Sequence, residues 1–146
     1  MAAVRSARAV WNGELATGSG SVSATSSMKF TDLPVSWGSR TEGVDGRTSP
    51  EELIAAAHAS CFCMALSAGL GRAGTPPGSL DVEASVTFDR VDGGFKIISS
   101  QLKVTGEVAG IDEATFKEAA EAAKDGCPVS KALAGNVDLS VVANLK

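Results

Sequence analysis

Residues 49–70 read SPEELIAAAHASCFCMALSAGL, and the reading of this stretch decides the fold. Ser49 can serve as an N-cap, Pro50 takes the first helical position, and Glu52 completes a capping box with the serine. A helix is expected from here over about twenty residues, with a stop near Gly71. Leu53 to Leu70 holds no charged residue over 18 positions, which approaches the length of a membrane-spanning helix. The stretch is nevertheless rich in Ala and Ser, carries His58 and Ser60, and lies among amphipathic strands. It reads as a helix buried on nearly all sides in a protein core.

Upstream, Val4 to Trp11 and Ser19 to Ser27 read as short strands separated by Asn12-Gly13 and Gly18-Ser19-Gly20 turns. Pro34 to Arg40 is expected to be extended, and Thr41 to Ser49 is a polar, glycine-bearing loop. Downstream, Leu80, Val82, Ala84, Val86 and Phe88 alternate with polar residues, the pattern of a half-buried strand. Asp92-Gly93-Gly94 turns it, and Phe95 to Val108 returns as the second arm of a hairpin. Ile111 to Lys124 is an amphipathic helix with Phe116, Ala119, Ala120 and Ala123 on one face, stopped by Gly126. Cys127-Pro128-Val129-Ser130 opens a short helix, and Val137 to Leu145 alternates as a last strand. This order of elements gives an α+β domain.

The 146 residues suffice for one domain with a core that needs no disulfide staples, and residues 1–146 are read as a single domain. The apolar fraction of 44%, charged fraction of 21% and net charge of -4 are those of an ordinary globular chain. Without a Lys/Arg cluster to lie along a phosphate backbone, nucleic acid is not an expected partner, and no membrane is expected either. Met1 to Val10 has neither an apolar core nor a cleavage site of small residues, so a cytoplasmic location is expected. There thiols are kept reduced, and cysteines that pair do so transiently, in catalysis or sensing.

The chain has three cysteines and one histidine. Cys61 lies on the long helix with His58 one turn before it on the same face. Cys63, two positions on, points to roughly the opposite side at about 100° per residue. Cys127 sits at the start of a helix, where free amide groups and the helix dipole favour a thiolate. Plainer roles stand beside these: Cys63 as a small hydrophobe, His58 as a hydrogen-bonded core residue, Arg40 as a solvated loop residue. A zinc site from His58 and the three thiols is disfavoured, because Cys-x-Cys on a helix splays its sulfurs apart. No cofactor and no metal are expected. On pattern alone the reading stops at an α+β domain with two suggestive thiols.

Two longer motifs carry a resemblance. Arg40-Thr-Glu-Gly followed by Thr48-Ser-Pro-Glu-Glu-Leu-Ile-Ala-Ala-Ala-His-Ala-Ser-Cys61-Phe-Cys-Met-Ala-Leu66, and then Gly126-Cys-Pro-Val-Ser-Lys-Ala-Leu133, resemble the OsmC/Ohr family of organic hydroperoxide reductases. Asp92-Gly-Gly-Phe95 between them fits as well, and the arginine before Thr-Glu-Gly is closer to the OsmC branch. The resemblance implies antiparallel sheets wrapped around long buried central helices in an intertwined homodimer, with active sites at the subunit interface. It implies Cys61 as the peroxidatic cysteine, Cys127 as its resolving partner, and Arg40 and Glu51 as the arginine and glutamate of the site. It also implies a thiol-dependent peroxidase that acts on organic hydroperoxides and is recycled by a dithiol, with a lipoyl protein as the suggested donor. Cys63 departs from the commoner pattern, which has a small polar residue there.

Glu51 and Cys61 are ten residues apart on one helix, about 15 Å along its axis. A glutamate cannot span that, so a site that uses both draws Glu51 from a second subunit. An apolar wall for the substrate's alkyl group is expected from Phe62, Met64 and Leu66. Helix-terminus physics selects Cys127 as the more acidic thiol, whereas the resemblance selects Cys61, with Arg40 able to reverse the order. The alternatives on the same fold are a non-catalytic redox sensor or small-ligand carrier, and a structural interaction domain with cysteines as core filler.

Overall fold

In the computed structural model, which describes residues 1–43 and 45–146, the chain groups into two units, Met1–Pro50 and Glu51–Lys146. The first holds β1 (Ala7–Asn12), β2 (Ser19–Ala24) and β3 (Leu33–Val35) in one antiparallel sheet, in that order. Gly20 is required where it stands. A Cβ there would lie 2.4 Å from the Val10 carbonyl oxygen and 2.9 Å from the Trp11 ring, which covers it.

After β3 the structure departs from the extended reading of Pro34 to Arg40, because a one-turn helix, α1 (Gly38–Thr41), carries Arg40. Two serines three residues apart explain it. The Ser36 amide donates to Ser39 Oγ (3.2 Å) and the Ser39 amide to Ser36 Oγ (3.1 Å), a reciprocal cap for the turn. Ser39 Oγ also donates to the Thr48 carbonyl at 2.9 Å, which ties the turn to the end of the loop.

The long helix α2 spans Pro50–Arg72. It is followed by β4 (Ser79–Val91), β5 (Gly94–Glu107), α3 (Glu113–Gly126), α4 (Pro128–Leu133) and β6 (Asp138–Leu145). Each expected element is present here, with ends shifted by a few residues. Asp112, which lies inside the helix expected from Ile111, instead caps α3 by accepting from the Thr115 amide at 2.8 Å. The hairpin turns at Gly93, whose φ of +91° suits glycine. Phe88 and Phe95 stack across it with ring centroids 5.2 Å apart.

The sheet order is β4-β5-β6, and here the expectation of purely antiparallel sheets is corrected: β6 runs parallel to β5, from Ser99↔Asp138 to Gly106↔Leu145. A parallel neighbour requires a crossover, and α3 with α4 supplies it. The core lies between this sheet and the helices: Leu102 and Val104 of β5 meet Phe62, Leu66 and Leu70 of α2 and Phe116, Ala120 and Ala123 of α3. Phe116 presses on β5 at Gly106, where a Cβ would lie 2.4 Å from its ring.

The second correction concerns α2. Its buried residues are Glu51, His58, Phe62, Leu66 and Leu70, a single stripe at helical spacing. Ala56, Ala57, Ser60, Met64, Ser67 and Ala68 are exposed, so within one chain the helix is sealed on one side only. The expectation of all-round burial arose because an Ala-rich helix offers no polar face to mark its outer side. α2 is long and apolar enough to cross a membrane by length and composition. Its stripe is nonetheless packed into the core between the sheet and α3.

Candidate active site

Helix α2 and the start of α4 bring Cys61 and Cys127 together. The two thiols hydrogen-bond to one another, and each also takes the backbone amide of Val129. Cys127 occupies the N-cap position of α4, with Pro128 beginning the helix, so the amides of Val129 and Ser130 turn towards its sulfur. Cys127 is fully buried, whereas Cys61 is half-buried.

Their acidities diverge. Burial raises the Cys61 thiol, and the hydrogen bond and charge of Cys127 raise it further, against a smaller lowering by the Val129 amide. Burial also opposes a Cys127 thiolate. It is outweighed by the Ser130 amide, the Cys61 thiol, the Ser130 hydroxyl and the Val129 amide, and the net direction is down. Within the chain, then, the thiolate is favoured at Cys127 over Cys61, the order that helix-terminus physics predicts.

His58 is the hydrogen-bonded core residue of the plainer reading. It is wholly buried, with Nδ1 2.7 Å from Ser100 Oγ and Nε2 2.9 Å from Ser130 Oγ. Burial lowers its pKa and keeps the ring neutral. Ser100 and Ser130 received no role from the sequence. The only signal available for Ser130 was its place three residues after Cys127, the third residue of a helix that Cys127 caps.

Cys63 is half-buried rather than core filler. It lines a hollow of about 550 Å³ with Met64, Ser67, Ala68 and Leu80, and burial, then the Asp81 charge, raise its pKa. Phe62 and Leu66 are 0% exposed, so the expected apolar wall for a substrate is corrected. Both fill the chain's own core, and only Met64, at 67% exposure, faces outward. Glu51, in the first turn of α2, is buried at 7% exposure on the same stripe as His58. The unbroken helix keeps it about 15 Å from Cys61 of its own chain.

In the first unit, the Arg40 guanidinium stands 5.7 Å from the Trp37 ring centroid, a cation–π distance. Beside it is a cavity of about 330 Å³ lined by Trp11, Leu15, Val35, Trp37 and Pro50. A guanidinium at the edge of an apolar hollow suits a ligand with one polar end and one greasy end. Among the described residues, no group of three or more His, Cys, Asp or Glu side chains converges as a metal site.

The comparisons with known proteins point one way. The model of the OsmC-like protein family matches residues 43–142. The chain is 46% identical over 132 residues to the peroxiredoxin OsmC of Escherichia coli, covering 90% of this chain and 91% of that one. It is 34% identical over 128 residues to an organic hydroperoxide resistance protein of Xanthomonas axonopodis pv. citri, covering 86% and 88%. Among solved structures, the organic hydroperoxide resistance protein OhrB of Bacillus subtilis superposes with a TM-score of 0.70 at 26% identity, covering 97% and 98%. The chain belongs to the OsmC-like protein family.

Proposed function

We propose that this protein is a thiol-dependent peroxidase that reduces organic hydroperoxides to alcohols through a Cys61–Cys127 disulfide. The observation that carries the reading is the hydrogen-bonded pair of free thiols on α2 and α4, in a chain 46% identical to a peroxiredoxin.

In the reaction, the Cys61 thiolate attacks one peroxide oxygen. An S–O bond forms, the O–O bond breaks, and the alkoxide leaves and takes up a proton. The Cys61 sulfenic acid is then attacked by the Cys127 thiolate; the S–S bond forms, the S–O bond breaks, and the departing hydroxide takes up a proton to leave as water, before overoxidation can occur. A dithiol, with a lipoyl protein as the candidate donor, reduces the disulfide by exchange. Arg40 favours the Cys61 thiolate and stabilises charge on the departing oxygen, and Glu51 of a second subunit holds the guanidinium. Both units of the chain serve one domain, in a cytoplasmic homodimer whose two sites lie at the interface.

One observation favours a second reading with the thiols exchanged: Cys127 is the more acidic of the two. Access supports the first, since Cys61 is part-exposed and Cys127 fully buried. The deciding experiment treats reduced protein with one equivalent of cumene hydroperoxide and maps the peptides by mass. Loss of two hydrogens with a linked Cys61–Cys127 peptide is expected. Cys61→Ser should abolish peroxide consumption, and Cys127→Ser should permit one turnover and leave a sulfenic acid at Cys61. The reverse pattern assigns the roles the other way, and thiols that stay free exclude the peroxidase.

A further inference from the structure

Behind Cys127 runs a chain of buried groups for which the reaction sequence has no step: Ser100 on β5, His58 on α2 and Ser130 on α4. All three residues are at most 2% exposed. Their contacts are 2.7 Å and 2.9 Å, and Ser130 continues the chain to the Cys127 sulfur with its hydroxyl.

Proton counting fixes the sense of this chain. A hydroxyl has one proton to give. If Ser130 Oγ–H donates to a Cys127 thiolate, Ser130 Oγ must accept from His58, so Nε2 carries the ring proton. Nδ1 is then the bare acceptor, and Ser100 Oγ–H donates to it. If instead Ser130 donates to Nε2, the ring proton sits on Nδ1, Ser100 accepts, and the sulfur loses a donor. A charged imidazolium would donate at both nitrogens, but burial disfavours that state.

We propose that His58 is a positioning residue for the resolving thiol: in the Nε2–H tautomer it holds the Ser130 hydroxyl as a donor to Cys127, and its tautomer follows the charge on that sulfur. The proposal rests on the reading of Cys127 as the resolving cysteine and deepens it in two places. A thiolate held by three donors is available at once to attack the Cys61 sulfenic acid. In recycling, attack by the dithiol on Cys61 Sγ forms a mixed disulfide, breaks the Cys61–Cys127 bond and sends its electron pair to Cys127 Sγ. A stabilised leaving thiolate departs faster.

Because His58 is the sole histidine of the chain, its ring nitrogens give one unambiguous NMR signature. In reduced wild-type protein, titrated through the thiol transition, the Nε2–H tautomer is expected once the thiolate forms. A ring that stays Nδ1–H, or ignores the transition, overturns the proposal.

The second measurement needs no peroxide. With Cys61→Ser and Cys63→Ser leaving Cys127 as the one thiol, ultraviolet absorbance follows its ionisation. Ser130→Ala and His58→Phe should each lower the thiolate fraction near neutral pH, by about tenfold, the scale of one hydrogen bond to a charged group. With Ser130→Ala already present, His58→Phe should add little. Independent, additive effects, or none from His58→Phe, mark a packing role and overturn the proposal. If the acidity shifts as expected but no disulfide forms with hydroperoxide, the relay stands and the peroxidase reading falls. A disulfide that forms while acidity ignores His58 gives the converse.

Discussion

Helix α2 has two apolar faces with opposite fates. One, through His58, Phe62, Leu66 and Leu70, is sealed by the chain's own sheet and α3. The other, through Ala57, Ser60, Met64, Ser67 and Ala68, is left bare by the same chain. At about 100° per residue, Cys61 and Cys63 fall on the two opposite borders between these faces. The sealed face carries the bulky Phe and Leu side chains and the bare face mostly Ala and Ser, and burial separates the two completely. An apolar residue therefore says that it will be covered; only geometry says by what. Cys61 sits where the sealed side ends and the open side begins.

The sharpest way to break this contrast is Phe62→Ala on the sealed face, where the ring is 0% exposed. It should cost about 3–5 kcal/mol, read as a lower urea midpoint. If the loss is below about 1 kcal/mol, Phe62 is not the core anchor described. On the bare face, Met64→Glu should leave the chain's helical signal intact but weaken the proposed homodimer by about 2–4 kcal/mol. Sedimentation velocity reads this as a shift from dimer to monomer, with peroxide turnover falling in parallel. A dimer unaffected by the charge would place the subunit interface elsewhere.

A smaller effect is expected from Gly106→Ala, which forces Phe116 off the sheet. A loss of about 1–3 kcal/mol in thermal unfolding is the outcome that supports this packing. The same change at Gly71, where an added Cβ meets nothing within 4 Å, should be neutral or stabilising.

The slightest effect is one of pH. His58 has a folded pKa below the ordinary 6.5. The unfolded chain thus binds the proton first on acidification, and stability that is complete above about pH 6.5 is lost as pH falls towards the lowered folded value. Urea unfolding between about pH 7.5 and 5.5 should show this slope, and His58→Asn should remove its own share. If the slope is unchanged by that substitution, the ring is not held neutral in the core.

Most of the element order was legible because it rests on local pattern: period-two alternation for β4, the serine-proline-glutamate start of α2, and the spacing of Phe116, Ala120 and Ala123. What escaped was whatever depends on distant partners. Periodicity carries no direction, so it could not reveal that β6 runs parallel to β5. The α1 turn hinges on a serine pair whose second anchor is the Thr48 carbonyl. Both thiols of the pair were singled out in the sequence, and the structure brings them together, whereas Arg40 and Glu51 stand as candidates from the family resemblance alone. The partners of His58 were not, since Ser100 and Ser130 lie 42 and 72 residues away in sequence. Phe62 and Leu66 were assigned to a substrate wall because the sequence gives their polarity but not the side they face.

The parallel pairing of β6 also sets an order of assembly. The β4–β5 hairpin joins neighbours in sequence and closes early, whereas β6 must find β5 across the whole of α3 and α4, from Ser99 to Asp138. Such non-local pairing carries the larger loop-closure entropy and comes late. Cys127 lies inside that final crossover. During synthesis Cys61 leaves the ribosome ahead of Cys127, and until that crossover is complete it lacks its hydrogen-bond partner on an unfinished fold.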